Sequence, residues 1–518
     1  LDPARHHSTE CPTYLDAPQT TYTYDGAGRL KTQTDPLGHT TSYDYDQAGN
    51  LLRTTDPAGH STSYGYDQLG FLASVTDAAG KTTTYGRDGA GRVTSVTDPL
   101  GATTHTSYNA AGQVATTIDG EGNQAVYTYD GFGNLTSTRD PLGRTTGNTY
   151  DLRGLLATST NPAGGVTSYE YDADGNALAV TDPNGRITRS TYGPHGEILS
   201  STDPAGKVTR YQYDLLGRQT SVTDPTGRQT LTGYDKLGNV ISLTDPAGKI
   251  TRFGYDDAGR QTSVTDPLGH TTSYGYDEAS RQTRITDALS HSTIYAYDNA
   301  GRLTSVTSAA GYVTSYEYDP RGLTTRVSDA LGDATSDTYD DAGRLASQTD
   351  PRGATTTYEY DRRGLQTKMT DALGHSIGFG YDAAGQQTSL TDADGKLWQT
   401  GYDAAGELTS AGSTAYAYDP AGNRIAAGSA AYSWDDFGNL ASATDGAVSI
   451  AYRTNGDGLR VSATAGGSTA SYLWDEAAGL PALLSDGTTG YLSADADLLS
   501  GIGRPTACPV PAGLDRMP

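Results

Sequence analysis

The large side chains of this sequence fall on a fixed grid. From Tyr24-Asp25 the Tyr-Asp pair recurs every 21 residues, nineteen times in all, to Tyr402-Asp403, without insertion or deletion. Tyr fills the first slot in eighteen of the nineteen copies, Arg87 being the exception, and Asp fills the second in seventeen, with Asn109 and Gly193 as substitutes. A second mark keeps the same step. The slot of Asp35, which heads "DPLG", recurs to Asp392 and holds Asp in sixteen of eighteen copies, Asn161 and Ser308 standing in the others. A glycine closes each mark, as Gly28 and Gly38 do. Only the copy at 276–297 loses both glycines, to Ser280 and Ser290. Self-similarity at a fixed step means one supersecondary unit repeated.

Between the marks the pattern predicts strands. Arg92 to Thr97 is rich in Val and Thr, residues that suit a pleated, half-buried surface. Thr271 to Tyr276 is the returning strand. Asp accepts backbone hydrogen bonds in a turn, Pro presets φ and Gly tolerates positive φ, so "DPLG" and "YDxxG" each read as a tight turn. Each unit is therefore a β-hairpin. Proline and glycine recur too often for a helix. Tyr274 and Tyr276 lie two apart and share a face. The Tyr274 slot is aromatic in thirteen of nineteen copies, including Phe253 and Phe379. Two aromatic ladders should follow, their rings packed on copies in adjoining hairpins; the rival reading is a row of sugar-stacking platforms. One hairpin cannot bury its aromatic face, whereas a row can. Ser280 and Ser290 mark a relaxed copy whose turns close at some conformational cost.

The expected fold is all-β: tandem 21-residue hairpins in one long coiled β-strip, a hollow and incomplete spiral shell. The regular array occupies 21–410, an irregular segment 1–20, degenerate repeats 411–492 and a patternless tail 493–518. The array should hold about thirty-eight strands in a strip roughly 180 Å long, and a coil about 40 Å across uses about 125 Å per turn, giving about one and a half turns. The strip should follow its natural twist and end near Leu492 in an unpaired edge.

Composition supports a thin wall. Only 35% of the 518 residues are hydrophobic, against 65 Gly and 37 Tyr, so no thick core is expected. The net charge of −25 repels phosphate backbones and anionic membrane surfaces, which argues against nucleic acid as a partner. No apolar run reaches the roughly 20 residues of a membrane helix. The chain opens without Met or an apolar leader core, which suits a fragment or a processed product. Cys11 and Cys508 lie outside the array and read as free thiols, with a bridge between them left open.

Candidate chemistry is sparse. Carboxylates at fixed spacing could suggest glycosidase acids or calcium ligands. Yet they recur in nearly every copy beside Pro or before a glycine turn, whereas a catalytic pair is singular. Turn capping is the better reading. "DADG" at 172–175 and 392–395 lacks the other ligands of a calcium loop. His39, His60, His270, His291 and His375 share one slot with Lys207 and Arg186, so that slot reads as solvated. No nucleotide loop, HExxH or GxSxG motif occurs. No catalytic, cofactor or metal residue is assigned, and no enzyme is expected.

The unit "YDxxGRLTSVTDPLGxTTxYxYD" resembles the YD repeat of the RHS family, over about residues 21–492. The family includes bacterial Rhs polymorphic toxins, the C component of Tc toxins, wall-associated contact-dependent toxins and the teneurins. The resemblance implies a β-strip coiled into a hollow shell that in bacterial toxins encloses a C-terminal toxic domain. It implies a secreted or cell-surface location and, as partner, a toxin cargo or a cell-surface protein or carbohydrate. This chain departs from the pattern past Tyr402, where Tyr418 and Trp434 follow at steps of sixteen. Nothing matches the family's "RFLSPDP"-like segment or its self-cleaving aspartyl site, so no catalytic aspartate is carried over. Only 26 residues follow Leu492, too few for a cargo domain. The leading expectation is thus a shell segment without its cargo. The alternatives are a teneurin-like adhesion or carbohydrate-binding module, an enzyme on a β scaffold, and a truncated gene product.

Overall fold

The computed structural model describes residues 19–435, 438–455, 459–475 and 482–485. Cys11, Cys508, Leu492, residues 1–18 and the whole tail at 493–518 lie outside the described residues. Among the described residues every regular element is a strand. Forty-five strands join one antiparallel sheet and two more pair separately. Each strand bonds to its neighbours in chain order, so the sheet is one meander, open at both ends. Among the described residues its first strand, Thr21–Tyr24, pairs only with Leu30–Thr34, and its last, Ser468–Ser471, only with Arg460–Ala465.

The two marks build unlike hairpins. At an Asp-Pro turn the register is unbroken: Ser263, Val264 and Thr265 face Ser273, Thr272 and Thr271. The Asp266 N–H donates to His270 O (2.9 Å) and the Gly269 N–H to Asp266 O (3.0 Å). Asp266 Oδ1 accepts from the N–H groups of Leu268 and His270, at 2.8 and 2.9 Å. A Tyr-Asp turn has the same core but adds a bulge. Gly275 faces Arg284 while Tyr276 faces Gln282, which leaves Thr283 as an extra residue. The shift recurs at the successive Tyr-Asp hairpins and is absent from the Asp-Pro hairpins. A bulge bends its strand and raises local twist. Placed on one edge only, once per unit, it makes the two edges unequal and coils the strip.

The coil closes on itself edge to edge. The Arg362 N–H donates to Glu121 Oε1 (2.8 Å) across 241 residues, Arg144 Nη1 to Gln386 Oε1 (2.5 Å) across 242, and Asn184 Nδ2 to Asp419 Oδ2 (3.0 Å) across 235. Lys81 pairs with Asp341 at 2.6 Å on the same seam. In each case an Asp-Pro turn of the first turn of the coil meets a Tyr-Asp turn of the second. The approach is close: a Cβ on Gly120 would lie 2.5 Å from Arg362 O, and one on Gly165 2.7 Å from Pro420 O. That separation corresponds to about 23 strands per turn, a circumference of about 110 Å and a diameter of about 35 Å at the usual strand spacing. The 38 strands expected for the array thus wind slightly more than one and a half times.

The seam divides the Asp-Pro edge in two. Its leucines are 37–46% exposed at Leu37, Leu100 and Leu142, but 75–85% exposed at Leu268, Leu289, Leu331 and Leu373. Its histidines behave alike, with side chains 19% and 26% exposed at His39 and His60 against 62%, 60% and 59% at His270, His291 and His375. The expectation of a uniformly solvated histidine slot is therefore corrected. The second turn of the coil covers this edge of the first as far as about Arg186; from Lys207 onward the slot is exposed.

Past Tyr402 the Asp-Pro turn shrinks. Five residues separate the paired Thr391 and Leu397, but only two, Gly412 and Ser413, separate Ala411 and Thr414. The flanking strands also shorten, from five and six residues to four and five. Together these losses turn the step of 21 into one of sixteen. Gly412 takes φ +57°, as the first central residue of a tight two-residue hairpin requires.

Ser280 and Ser290 have φ of 64° and 68° and are the only residues other than glycine with positive φ among the described residues. Both still close their turns, donating to Asp277 O and Asp287 O at 3.0 Å. A left-handed conformation costs an L-residue about 1–2 kcal/mol, partly offset by the greater freedom of glycine in the unfolded chain. Ser280→Gly and Ser290→Gly should each stabilise the hairpin by about 1 kcal/mol. Hydrogen exchange of residues 276–297 should slow accordingly, while distant hairpins stay unchanged.

Candidate functional site

The repeated chemistry sits on the Tyr-Asp edge. The bulge frees the carbonyl at the start of the following strand, and the tyrosine of the next unit reaches back to it. Tyr66 donates its hydroxyl to Leu51 O at 2.9 Å, Tyr276 to Gln261 O at 2.7 Å and Tyr360 to Leu345 O at 2.8 Å, each fifteen residues back. In the shortened repeats an indole does the same work: Trp434 Nε1 donates to Arg424 O at 2.8 Å.

The arginine of "YDxxGR" ties two units together. Arg260 Nε donates to Asp256 Oδ2 of its own turn (2.7 Å) and Nη1 to Asp277 O of the next (2.9 Å). Its guanidinium lies over the Tyr276 ring, 5.1 Å from the centroid. Arg29, Arg218, Arg281, Arg302 and Arg344 repeat this geometry. Where the slot holds arginine, a guanidinium rather than the expected neighbouring ring covers the Tyr276-type ring, whereas Tyr169 stacks on Tyr171 at 6.4 Å. Tyr276 and most of its equivalents are half-buried rather than largely buried. Where the arginine slot holds leucine, an arginine two residues earlier substitutes. Arg321 Nε donates to Asp319 Oδ2 (2.8 Å) and Nη1 to Asp340 O (3.0 Å) beside Leu323. Arg153 beside Leu155 and Arg363 beside Leu365 do likewise. The signal was legible: "GR" becomes "RGL" at all three places.

The aspartates cap turns. The Arg29 backbone N–H, despite some desolvation, holds the Asp25 carboxyl below its usual range, and the His291 backbone N–H does the same for Asp287. Burial pushes Asp224 up, but hydrogen bonds from Thr226 and Arg228 outweigh it and hold the carboxyl at about 2. One group runs the other way. Glu407 occupies an arginine slot at the seam, near Asp403, Tyr418 and Asp419 and facing Asn161, Gly165 and Pro183 of the first turn. Burial, with the carboxylates of Asp403 and Asp419, pushes Glu407 up. Among the described residues no group of three or more His, Cys, Asp or Glu is arranged to hold a metal ion.

The repeat is also recognised as a family. The RHS Repeat model matches fourteen segments, eleven of them overlapping a neighbour, that together span 18–103, 108–145, 150–229, 234–334, 339–376 and 381–415. The chain is an RHS repeat protein. No curated protein matches it. Among solved structures this RHS repeat chain is similar to TcdB2-TccC3-Cdc42, with a TM-score of 0.59 at 14% identity over 90% of this chain and 37% of that one. TcdB2-TccC3-TEV gives a TM-score of 0.58 at 17% identity over 92% and 33%. The chain thus spans about a third of the length of the solved chains it matches. At this identity the likeness is one of fold: the RHS strip and its coil are shared.

Two outcomes follow from the edge chemistry. Arg321→Ala should destabilise its hairpin by about 1–2 kcal/mol, because it removes charge-assisted hydrogen bonds to Asp319 and to the next turn. Adding Leu323→Arg should restore most of the loss by rebuilding the usual tie; hydrogen exchange at 319–345 reads both.

The second outcome concerns pH. A carboxyl lowered in the fold stabilises fully above its unfolded value, and the contribution is lost as pH falls through the folded value. Melting temperature should fall progressively below about pH 4, with the Asp224 share persisting to about pH 2. Glu407 has the opposite sign: its protonated form favours the fold, and that gain is lost as pH rises through its folded value. Glu407→Gln should therefore raise the melting temperature at pH 7 and leave it unchanged well below pH 4.

Proposed function

We propose that this RHS strip is a wall segment of a container, secreted or surface-delivered, with a structural rather than enzymatic role. The observation that carries the reading is a single-layer coil without a core. Among the described residues only Ala102, Ala179, Ala430, Ala443 and Ile450 are buried apolar side chains. A sheet of 45 strands that buries so little between layers spends its hydrogen bonds on enclosing space. A diameter of about 35 Å between wall centres, less a wall about 10 Å thick, leaves a bore of about 25 Å, wide enough for an extended or partly folded polypeptide. The adhesion reading needs tyrosines that offer free rings. Along the Tyr276 ladder the hydroxyls are engaged with backbone carbonyls, and where the neighbouring slot holds arginine a guanidinium covers the ring. That favours the container over a row of sugar platforms.

Two measurements test it. Electron microscopy of the purified chain should show ring-shaped end-on views with a solvent-filled bore; solid projections would defeat the coil. A polypeptide of about 100 residues appended after Pro518 should resist proteolysis relative to the same polypeptide free in solution. Equal rates of digestion would leave a coil that does not enclose cargo.

A further inference from the structure

Three departures from the repeat meet at one place on the seam. At most Tyr-Asp turns the residue four past the Asp donates to its Oδ2, as Arg260 Nε does to Asp256 (2.7 Å) and Asn134 Nδ2 to Asp130 (2.9 Å). Glu407 holds this slot beside Asp403, where a carboxyl can donate only when protonated. The other acid in the slot, Glu197, belongs to a turn whose Asp is replaced by Gly193, so it meets no carboxylate there. On the first turn of the coil, opposite Glu407, Asn161 replaces the Asp found in sixteen of eighteen copies. Gly165 takes a slot that bears a side chain in every other copy. Asn161 Oδ1 accepts from the Gly165 N–H at 2.7 Å, and a Cβ on Gly165 would meet Asn161 Nδ2 at 2.8 Å as well as Pro420 O at 2.7 Å. A cavity of about 530 Å³ lies between the two sets and is lined by both.

We propose that this meeting of 403–420 with 161–184 is a pH-operated latch on the coil, closed while Glu407 carries its proton and loosened once it ionises. Protonated, Glu407 donates to the Asp403 carboxylate as asparagine or arginine does elsewhere. Its Oε1 lies 2.8 Å from the position of a Cβ on Gly422, so the carboxyl reaches the next turn. That turn carries Asp419, whose Oδ2 accepts from Asn184 across the seam at 3.0 Å and from Asn423 within its own turn at 2.9 Å. Ionised, Glu407 sets its charge against Asp403 and Asp419 together, and like charges in a partly desolvated site repel. The cations of the neighbouring elements are engaged elsewhere. Arg144 bonds to Asp140 and Gln386, Arg186 faces Asp182 at 4.0 Å, and Arg424 lies over the rings of Tyr416 and Tyr432. Burial pushes the Tyr418 hydroxyl up, so it stays neutral. Acid therefore tightens this end of the seam, whereas it weakens the capping aspartates. The latch rests on the seam alone; in a container wall it opens a slit into the bore, a use that rests on the container reading.

Hydrogen exchange of the 518-residue chain tests this, measured at about pH 5 and about pH 7.5 with each amide's rate divided by its intrinsic rate at that pH. In the wild-type chain residues 161–186 and 403–424 should open severalfold more often at the higher pH. The other end of the seam, at Lys81 and Asp341, should not follow. Glu407→Gln keeps a donor to Asp403 without the charge, and Glu407→Arg installs the commonest occupant of the slot. Both should keep 403–424 equally protected at the two pH values. Wild-type protection that is the same at both overturns the proposal. So does a pH dependence that persists in both variants, or one spread evenly over all hairpins, which would place its source in the net charge of −25.

Discussion

The architecture depends on a backbone carbonyl that a bulge has set free. A strip of antiparallel strands satisfies its own ladder, but one extra residue on each Tyr-Asp hairpin breaks the pairing there and leaves an acceptor without a strand partner. An unpaired polar group away from water is costly, so the tyrosine hydroxyl of the following unit is held to it. Unit follows unit through this bond, and where an arginine lies between them it ties the same edge to the carboxylate of one turn and the carbonyl of the next. Curvature and cohesion thus come from the same residues. The wall needs no second layer to hold its shape, which explains how a chain only 35% hydrophobic maintains a sheet of 45 strands.

Much of this was legible in the order of residues. The strand Thr271–Tyr276 is where the Val, Thr and Tyr spacing places it, and the glycine slots have the positive φ that the turn grammar implies. Ser280 and Ser290 adopt the same backbone without the glycine. These features are local, decided within a few residues of the chain. The stacking of Arg260 on Tyr276 was missed because it joins consecutive units in space, where the pattern of a single strand has nothing to report. The seam was missed for a stronger reason. A contact across 241 residues is set by twist summed over many hairpins, and no single unit encodes that sum. Even so, a trace was present: five of the eleven Tyr-Asp turns before residue 240 carry a large apolar residue, Leu69, Phe132, Leu152, Leu215 and Leu237 among them, whereas the turns from Asp256 to Asp403 carry none.

The two turns of the coil therefore differ although their units read alike. On the first, the Asp-Pro edge is roofed as far as about Arg186 and the Tyr-Asp edge is bare; on the second the Tyr-Asp edge faces the seam and the Asp-Pro edge is bare. Residues in one slot, such as His39 and His270, meet unlike surroundings for this reason alone. A rule that reads function from repeated position must take account of the turn on which the position lies.

The seam also constrains how such a gene can change. Near-identical units invite unequal recombination, which adds or removes one hairpin at a time, and a strip held only by neighbour contacts would accept either change. Here a unit gained between Asn184 and Asp341 would carry every later Tyr-Asp turn one place along the edge it rests on. The bonds from Arg144 to Gln386 and from Asn184 to Asp419 would then meet the wrong partners. Copy number within the first turn of the coil is thereby tied to the identity of residues a full turn away, so a lengthened allele needs compensating substitutions along the seam before it closes as tightly.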